Sequence, residues 1–237
     1  MTKQIPKLLK DAMENNTVDV DVLSKHLKIP WIKLDIKITN LDIPVSTEDW
    51  REKWGFKDLN KNSYQVNQWN GNLLFGPTEW QKFLDKANQL GEQIDEDCKC
   101  RLFRKQFKYD WYVEKDDVVR EAISKIFPDD EDLNLVNTYT LPPGGWLFPH
   151  RDYGSDDLGL NKIYVAVKWG KGNVFGMYGC GNIPIQQGDV ILLNNYSLPH
   201  WVYNGSDEDR IVLDISANLK SKNISEVIQR SFINKFS

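Results

Sequence analysis

Two of the chain's three histidines, His150 and His200, stand with an acid and an arginine in a spacing that metal chemistry can use: His150-x-Asp152, then His200, then Arg210. Side chains on an extended strand alternate between faces, so His150 and Asp152 point the same way and can converge on one ion. Two imidazoles and one carboxylate on one face of a metal leave the other face open. This is the arrangement of non-haem Fe(II) oxygenases, in which a cosubstrate and O2 bind together at the open positions. Arg210 heads a strand-like run in which Arg210, Val212 and Asp214 share one face and Ile211, Leu213 and Ile215 the other. A buried guanidinium needs an anion, because leaving it unpaired costs on the order of several kcal/mol. The far carboxylate of a dicarboxylic cosubstrate would pair with it in a two-point geometry that lysine cannot copy. A structural ion pair with Asp214 is the competing assignment.

The elements that must hold these residues follow from the rhythm of the chain. From residue 134 onward, short strands separated by Gly, Pro and Asn turns run over 134–140, 146–150, 162–169, 173–178, 182–186, 189–193, 200–203 and 210–216. Eight such strands suffice for a double-stranded β-helix, a cupin-like jelly roll, so the expected class is mainly β with flanking α-helices. The chain reads as a single domain over 1–237. An N-terminal extension over 1–133 packs on the barrel, the catalytic jelly-roll core spans 134–217, and a C-terminal helix occupies 218–237. Within the extension, 5–13 and 20–27 have helical periodicity, and His26 reads as a surface histidine. Trp31 to Ile38 alternates as a strand with Ile32, Leu34, Ile36 and Ile38 toward the core. A short helix is expected over 46–53, and a strand through Tyr64, Val66 and Trp69 that ends at an Asn70-Gly71 turn. Thr78 to Gln81 has the spacing of a capping box opening a helix that Gly91 ends, and Asp117 that of a cap for a helix closed by Pro128. The basic and aromatic stretch 98–112 has the texture of a nucleic-acid surface, but the simpler reading makes its aromatics core.

One further likeness belongs to the same residues. Leu141-Pro142-Pro143-Gly144-Gly145-Trp146-Leu147-Phe148-Pro149-His150, the strand from Lys162, Gly188-Asp189-Val190-Ile191-Leu192-Leu193, His200-Trp201-Val202-Tyr203-Asn204 and Arg210-Ile211-Val212-Leu213 together resemble the aspartyl/asparaginyl β-hydroxylase family of 2-oxoglutarate and Fe(II)-dependent oxygenases. The resemblance covers about 134–217. It implies that His150 and His200 are iron ligands, that Arg210 holds the far carboxylate of 2-oxoglutarate, and that polar side chains on the strand after the first ligand help; here those are Tyr164 and Lys162, with Lys168 on the same face. Mammalian members have glycine where this chain has Asp152, so the full triad resembles the amino-acid and prolyl hydroxylases of the wider superfamily. The implied reaction is hydroxylation of an unactivated C–H bond in an amino acid or in a peptide or protein side chain, of aspartyl/asparaginyl or prolyl type, with release of succinate and CO2. A non-catalytic cupin that binds a small molecule is the alternative, although the His-x-His pattern of such proteins is absent. Trp146, Phe148, Trp201 and Tyr203 flank the ligands and are candidates for the mouth of the site.

Composition sets outer limits. The 237 residues carry 41% hydrophobic and 27% charged residues, nine tryptophans and a net charge of -4, which describes a folded chain without a global basic surface and disfavours nucleic acid as the main partner. Three cysteines, with Cys98 and Cys100 one residue apart, argue against a disulfide framework and for a reducing compartment, and no second Cys/His pair completes a zinc site. With no apolar run long enough to span a bilayer and no signal-peptide pattern, the expectation is a soluble cytoplasmic protein with no membrane partner.

Overall fold

The computed structural model describes residue 15 and residues 29–48, 66–67, 70–90, 96–114, 117–152, 162–195 and 197–236. The segments 5–13 and 20–27 expected to be helical, with His26, residues 49–53 of the helix expected over 46–53, and Tyr64 and Trp69 lie outside the described residues. Eight strands carry the barrel: β5 (Leu133–Leu141), β6 (Trp146–His150), β7 (Lys162–Lys168), β8 (Asn173–Met177), β9 (Gly181–Asn182), β10 (Asp189–Leu193), β11 (His200–Asn204) and β12 (Arg210–Ala217). Ahead of them come β1 (Trp31–Lys37), β2 (Val66–Asn67), β3 (Asn70–Pro77) and β4 (Tyr109–Trp111). The larger sheet runs β1-β10-β7-β12-β5-β3-β4 and the smaller β2-β6-β11-β8-β9, with every pairing antiparallel. From β5 to β12 the chain visits the two sheets as large, small, large, small, small, large, small, large. That winding, with β12 returning between β5 and β7 and β11 between β6 and β8, is the double-stranded β-helix expected from the strand rhythm.

The alternation of each strand divides interior from exterior. On β12, Ile211, Leu213 and Ile215 are buried on the outer side. Helix α4 (Lys222–Phe236) packs against β1 at one edge of the larger sheet, burying Ile224, Ile228 and Phe232, and its Ser231 Oγ accepts the Asp35 N–H at 2.8 Å. Three further helices, α1 (Trp80–Ala87), α2 (Glu96–Phe103) and α3 (Val118–Ser124), precede the barrel strands. The stretch 98–112 is core: Phe103, Tyr109 and Trp111 are buried, Phe103 and Phe107 meet Phe83 edge-on, and Arg104 lies 4.4 Å over the Tyr109 ring while donating to the Leu133 and Asp130 carbonyls. Of its five basic residues, Arg104 is thus committed to a packed cation–π contact.

Several local expectations change. Asn70-Gly71 is no turn but the start of β3, where a Cβ on Gly71 would stand 2.6 Å from the Tyr139 ring. Residues 46–48 form no helix; Ser46 is buried, its N–H bonding Thr140 Oγ1 at 3.0 Å. Thr78 does not cap α1, because its hydroxyl donates to the Lys108 carbonyl at 3.2 Å; the N-cap is Glu79, without a side-chain bond. Asp117 does cap α3, accepting from the Val119 N–H at 2.8 Å. The strand expected over 182–186 shrinks to β9, since Pro184 has no N–H to give a ladder. Ile36 is half-buried against the core rather than within it.

Gly176 of β8 makes a specific demand on β11. The Trp201 indole lies flat over it on the outer face, and a Cβ there would stand 1.9 Å from Trp201 Cε2. Gly176→Ala is expected to destabilise by about 1–3 kcal/mol in urea unfolding. Combined with Trp201→Ala, the same change should cost little, and additive costs would show that the contact is unimportant.

Candidate metal centre

His150 closes β6 and His200 opens β11, and the two are directly paired across the smaller sheet with ring centroids 4.3 Å apart. The pairing depends on a bulge. Val202 opposes Leu147 but His200 opposes His150, so β6 carries one extra residue between the two pairs. Leu147 faces the interior with Val202, whereas Trp146 opposes Tyr203 on the outer face and meets Phe148 with tilted rings 4.3 Å apart. Without the extra residue, strict alternation would turn His150 outward.

Asp152, two residues past the strand, completes the group: its Oδ1 lies 3.6 Å from Nε2 of both His150 and His200, and the three ligand atoms lie within 4.8 Å of one another. His150 Nδ1 bonds the Phe148 carbonyl at 2.7 Å, which makes Nδ1 the protonated nitrogen and leaves the Nε2 lone pair for a ligand role. Burial, opposed by the Asp152 carboxylate, lowers His200 to about 4, so its ring is neutral at pH 7 as metal ligation requires. The outer oxygen of Asp152, Oδ2, accepts from Lys162 Nζ at 2.9 Å and from Asn195 Nδ2, while the Asp152 N–H bonds the Asn195 carbonyl at 3.2 Å. Burial would push the Asp152 carboxyl up; the Lys162 ammonium and the two imidazoles override it and hold it below the usual carboxylate range.

One step deeper in the barrel, Tyr164 follows Lys162 on the same face of β7, about 7 Å along the strand. Its hydroxyl accepts from Arg210 Nη2. Arg210 is 3% exposed, and among the described residues it has no carboxylate partner. The Trp169 ring lies 4.7 Å from its Cζ, and its Nε has no hydrogen-bond partner. Burial pulls its pKa down, with only the Tyr164 contact opposing. The Asp214 alternative therefore fails: Asp214 Oδ2 is bonded by Lys162 Nζ at 3.2 Å instead. Phe175 links the two levels, stacked on the His200 ring at 5.6 Å and edge-on to Tyr164 at 5.3 Å.

The structure thus brings His150, Asp152, His200, Lys162, Tyr164 and Arg210 into one interior. It does not bring Lys168. A second bulge, in β7 opposite Ile211 and Val212, flips the alternation after Ala166, so Lys168 turns out to pair with Glu208 at 3.0 Å and Trp169 turns in toward Arg210. Trp169 also lines an outer cleft of about 460 Å³, with Leu41, Ile43 and Glu208, and so separates that cleft from Arg210. Trp201 and Tyr203 share the outer face with Trp146 and Phe148, so none of the four lines the interior between the sheets. Asn195, Phe175 and Trp169 went unnoticed in the sequence. Only Asn195 left a trace there, as the second of the two amides Asn194-Asn195 that follow the apolar run Val190 to Leu193.

No protein-family model matches the chain, and no curated protein matches it. Among solved structures it is similar to a 2OG-Fe(II) oxygenase family oxidoreductase from Burkholderia pseudomallei (11% identity, 69% of this chain and 73% of that one, TM-score 0.36). It is also similar to a prolyl-4-hydroxylase from Pseudomonas putida (17%, 71% and 80%, TM-score 0.34) and to a predicted oxalate decarboxylase from Thermotoga maritima (23%, 41% and 72%, TM-score 0.28). Superpositions this loose carry no argument about chemistry; the assignment of the double-stranded β-helix rests on strand order and register.

Because Arg210 is buried without an anion, removing its charge should not weaken the ligand-free protein. Arg210→Met is expected to leave apo stability unchanged or raised by about 1 kcal/mol or more. A loss of about 3 kcal/mol in denaturant unfolding would show instead that the guanidinium is already paired.

Proposed function

We propose that the chain is an Fe(II)- and 2-oxoglutarate-dependent oxygenase that hydroxylates an amino acid or a peptide or protein side chain, with His150, Asp152 and His200 holding the metal and Arg210 and Tyr164 receiving the far carboxylate of the cosubstrate. The observation that carries this reading is the buried Arg210 guanidinium, unpaired by any described carboxylate, one strand step beneath a neutral-imidazole and carboxylate triad. Two imidazole nitrogens and one carboxylate oxygen on one side of an ion suit iron with open positions rather than a closed structural site.

Charge supports the same pairing. Counted together, the carboxylates of Asp152 and Asp214 and the cations of Lys162 and Arg210 sum to zero, although Lys162 holds both carboxylates and Arg210 touches neither. A divalent cation arriving with a dicarboxylate dianion keeps that sum at zero, whereas either alone leaves an excess charge in a poorly solvated space. When bound, the iron with 2-oxoglutarate and O2 would supply oxidising power sufficient for an unactivated C–H bond, with succinate and CO2 as coproducts. The chain's own residues then position and exclude. Arg210 and Tyr164 fix the depth and direction of the dicarboxylate, Phe175 holds the His200 ring in plane, and Trp169 closes the floor against water. A substrate of aspartyl/asparaginyl or prolyl type follows from the sequence resemblance.

With Fe(II), ascorbate, O2 and 2-oxoglutarate, the protein should form succinate even without a substrate. His150→Ala and His200→Ala should reduce this to background, and Arg210→Met should raise the KM for 2-oxoglutarate by about 10²-fold, the loss of a buried charged hydrogen bond. Equal succinate from wild type and both histidine variants would sink the assignment, and mass spectrometry over amino-acid and peptide libraries for a gain of one oxygen would then identify the substrate if it stands.

A further inference from the structure

A carboxylate ligand can grip a metal with one oxygen or with two, and the second mode occupies a position that a chelating cosubstrate needs. In this chain the two oxygens of Asp152 have different surroundings. Oδ1 faces Nε2 of both histidines at 3.6 Å, while Oδ2 is turned away and taken by Lys162 Nζ at 2.9 Å and by Asn195 Nδ2. Lys162 is itself held: its side chain is 11% exposed, and its ammonium also meets Asp214 Oδ2 at 3.2 Å, across β7 and β12. Asn195 is fixed from the other side, since its backbone carbonyl accepts the Asp152 N–H. Two donors, one at the start of β7 and one in the turn after β10, therefore aim at one oxygen and none of the described donors hydrogen-bonds the other.

We propose that Lys162, anchored by Asp214 and assisted by Asn195, is a positioning residue that restricts Asp152 to one-oxygen ligation and so keeps a metal position open for the cosubstrate. This rests on the reading of His150, Asp152 and His200 as a metal site. It assigns Lys162 to the metal ligand rather than to 2-oxoglutarate, and it gives Asp214 a purpose that its distance from Arg210 in the bonding pattern otherwise leaves without one. Partners of metal ligands typically change affinity or activity by about 10- to 100-fold when removed. Here the loss should fall on cosubstrate binding. Removing the ammonium also removes a positive charge that repels the ion, so metal affinity itself should change by less.

The test uses Co(II) as a spectroscopic probe on the full chain, whose d–d bands report coordination number. Lys162→Met should still bind Co(II), with bands shifted toward higher coordination before any 2-oxoglutarate is added, and should bind 2-oxoglutarate about 10- to 100-fold more weakly. Lys162→Arg, which keeps donors on Oδ2, should return the wild-type bands. If Asp214 acts through Lys162, then Asp214→Asn should shift the bands the same way, and the double variant should be no worse than Lys162→Met alone. A purely structural lysine would lower thermal stability without moving the bands; wild-type bands and wild-type 2-oxoglutarate affinity in Lys162→Met overturn the proposal. If Lys162→Met does not fold, Asp214→Asn decides by the same two readouts. Failure of the underlying reading has a different signature: wild type shows no Co(II) bands, or His150→Ala shows the same ones.

Discussion

The interior of the barrel is governed by a guanidinium that burial isolates from water and that no described carboxylate neutralises. Arg210 has a tyrosine hydroxyl and an indole face for company, neither of which carries a countercharge. An unpaired buried cation is costly, and folds normally remove it by pairing or by shifting the proton, a route closed to arginine. The one acid that could pair with it along β12, Asp214, is instead committed to Lys162. The remaining economy is a ligand. An anion reaching Arg210 from the triad end must cross about one strand step, past a Lys162 ammonium already held by Asp152 and Asp214, so a metal at the triad would supply the further countercharge. On the proposed reading, cation, dianion and guanidinium would form a single electrostatic unit.

The geometry that makes this unit possible comes from two irregularities. In β6 an extra residue turns His150 inward beside His200 and leaves Trp146 and Phe148 outside; in β7 an extra residue sends Lys168 to the surface and brings Trp169 under Arg210. Each bulge re-aims one functional side chain against the period-two rule, which is a common use of bulges near active sites. Between the two levels lies Phe175, which touches both His200 and Tyr164 and so links the triad to the neighbourhood of Arg210.

Much of this was legible in the sequence because it depends on local rules. The barrel strands announced themselves by length and turn residues, and β12 divided its faces as alternation required. The triad and Arg210 stood out because so few histidines were present. What was illegible depended on register. Nothing local distinguishes a bulged Phe148-Pro149 from a regular one, so the four aromatics beside the ligands read as mouth residues although they lie outside. Lys168 read as a neighbour of Lys162 and Tyr164 for the same reason. The choice of Lys162 over Arg210 by Asp214 depends on how β7 and β12 pair, and β3, hidden behind an apparent Asn-Gly turn, runs through Gly71 against the Tyr139 ring.

If Arg210 and the triad serve one ligand pair, metal and dicarboxylate bind as one unit. Anaerobic titration of the Fe(II)-loaded protein with 2-oxoglutarate, followed by visible absorption and calorimetry, should give a new absorption band at one equivalent, with little 2-oxoglutarate bound when iron is left out. Iron binding without any ligand-induced band, or 2-oxoglutarate binding that is indifferent to iron, would contradict it.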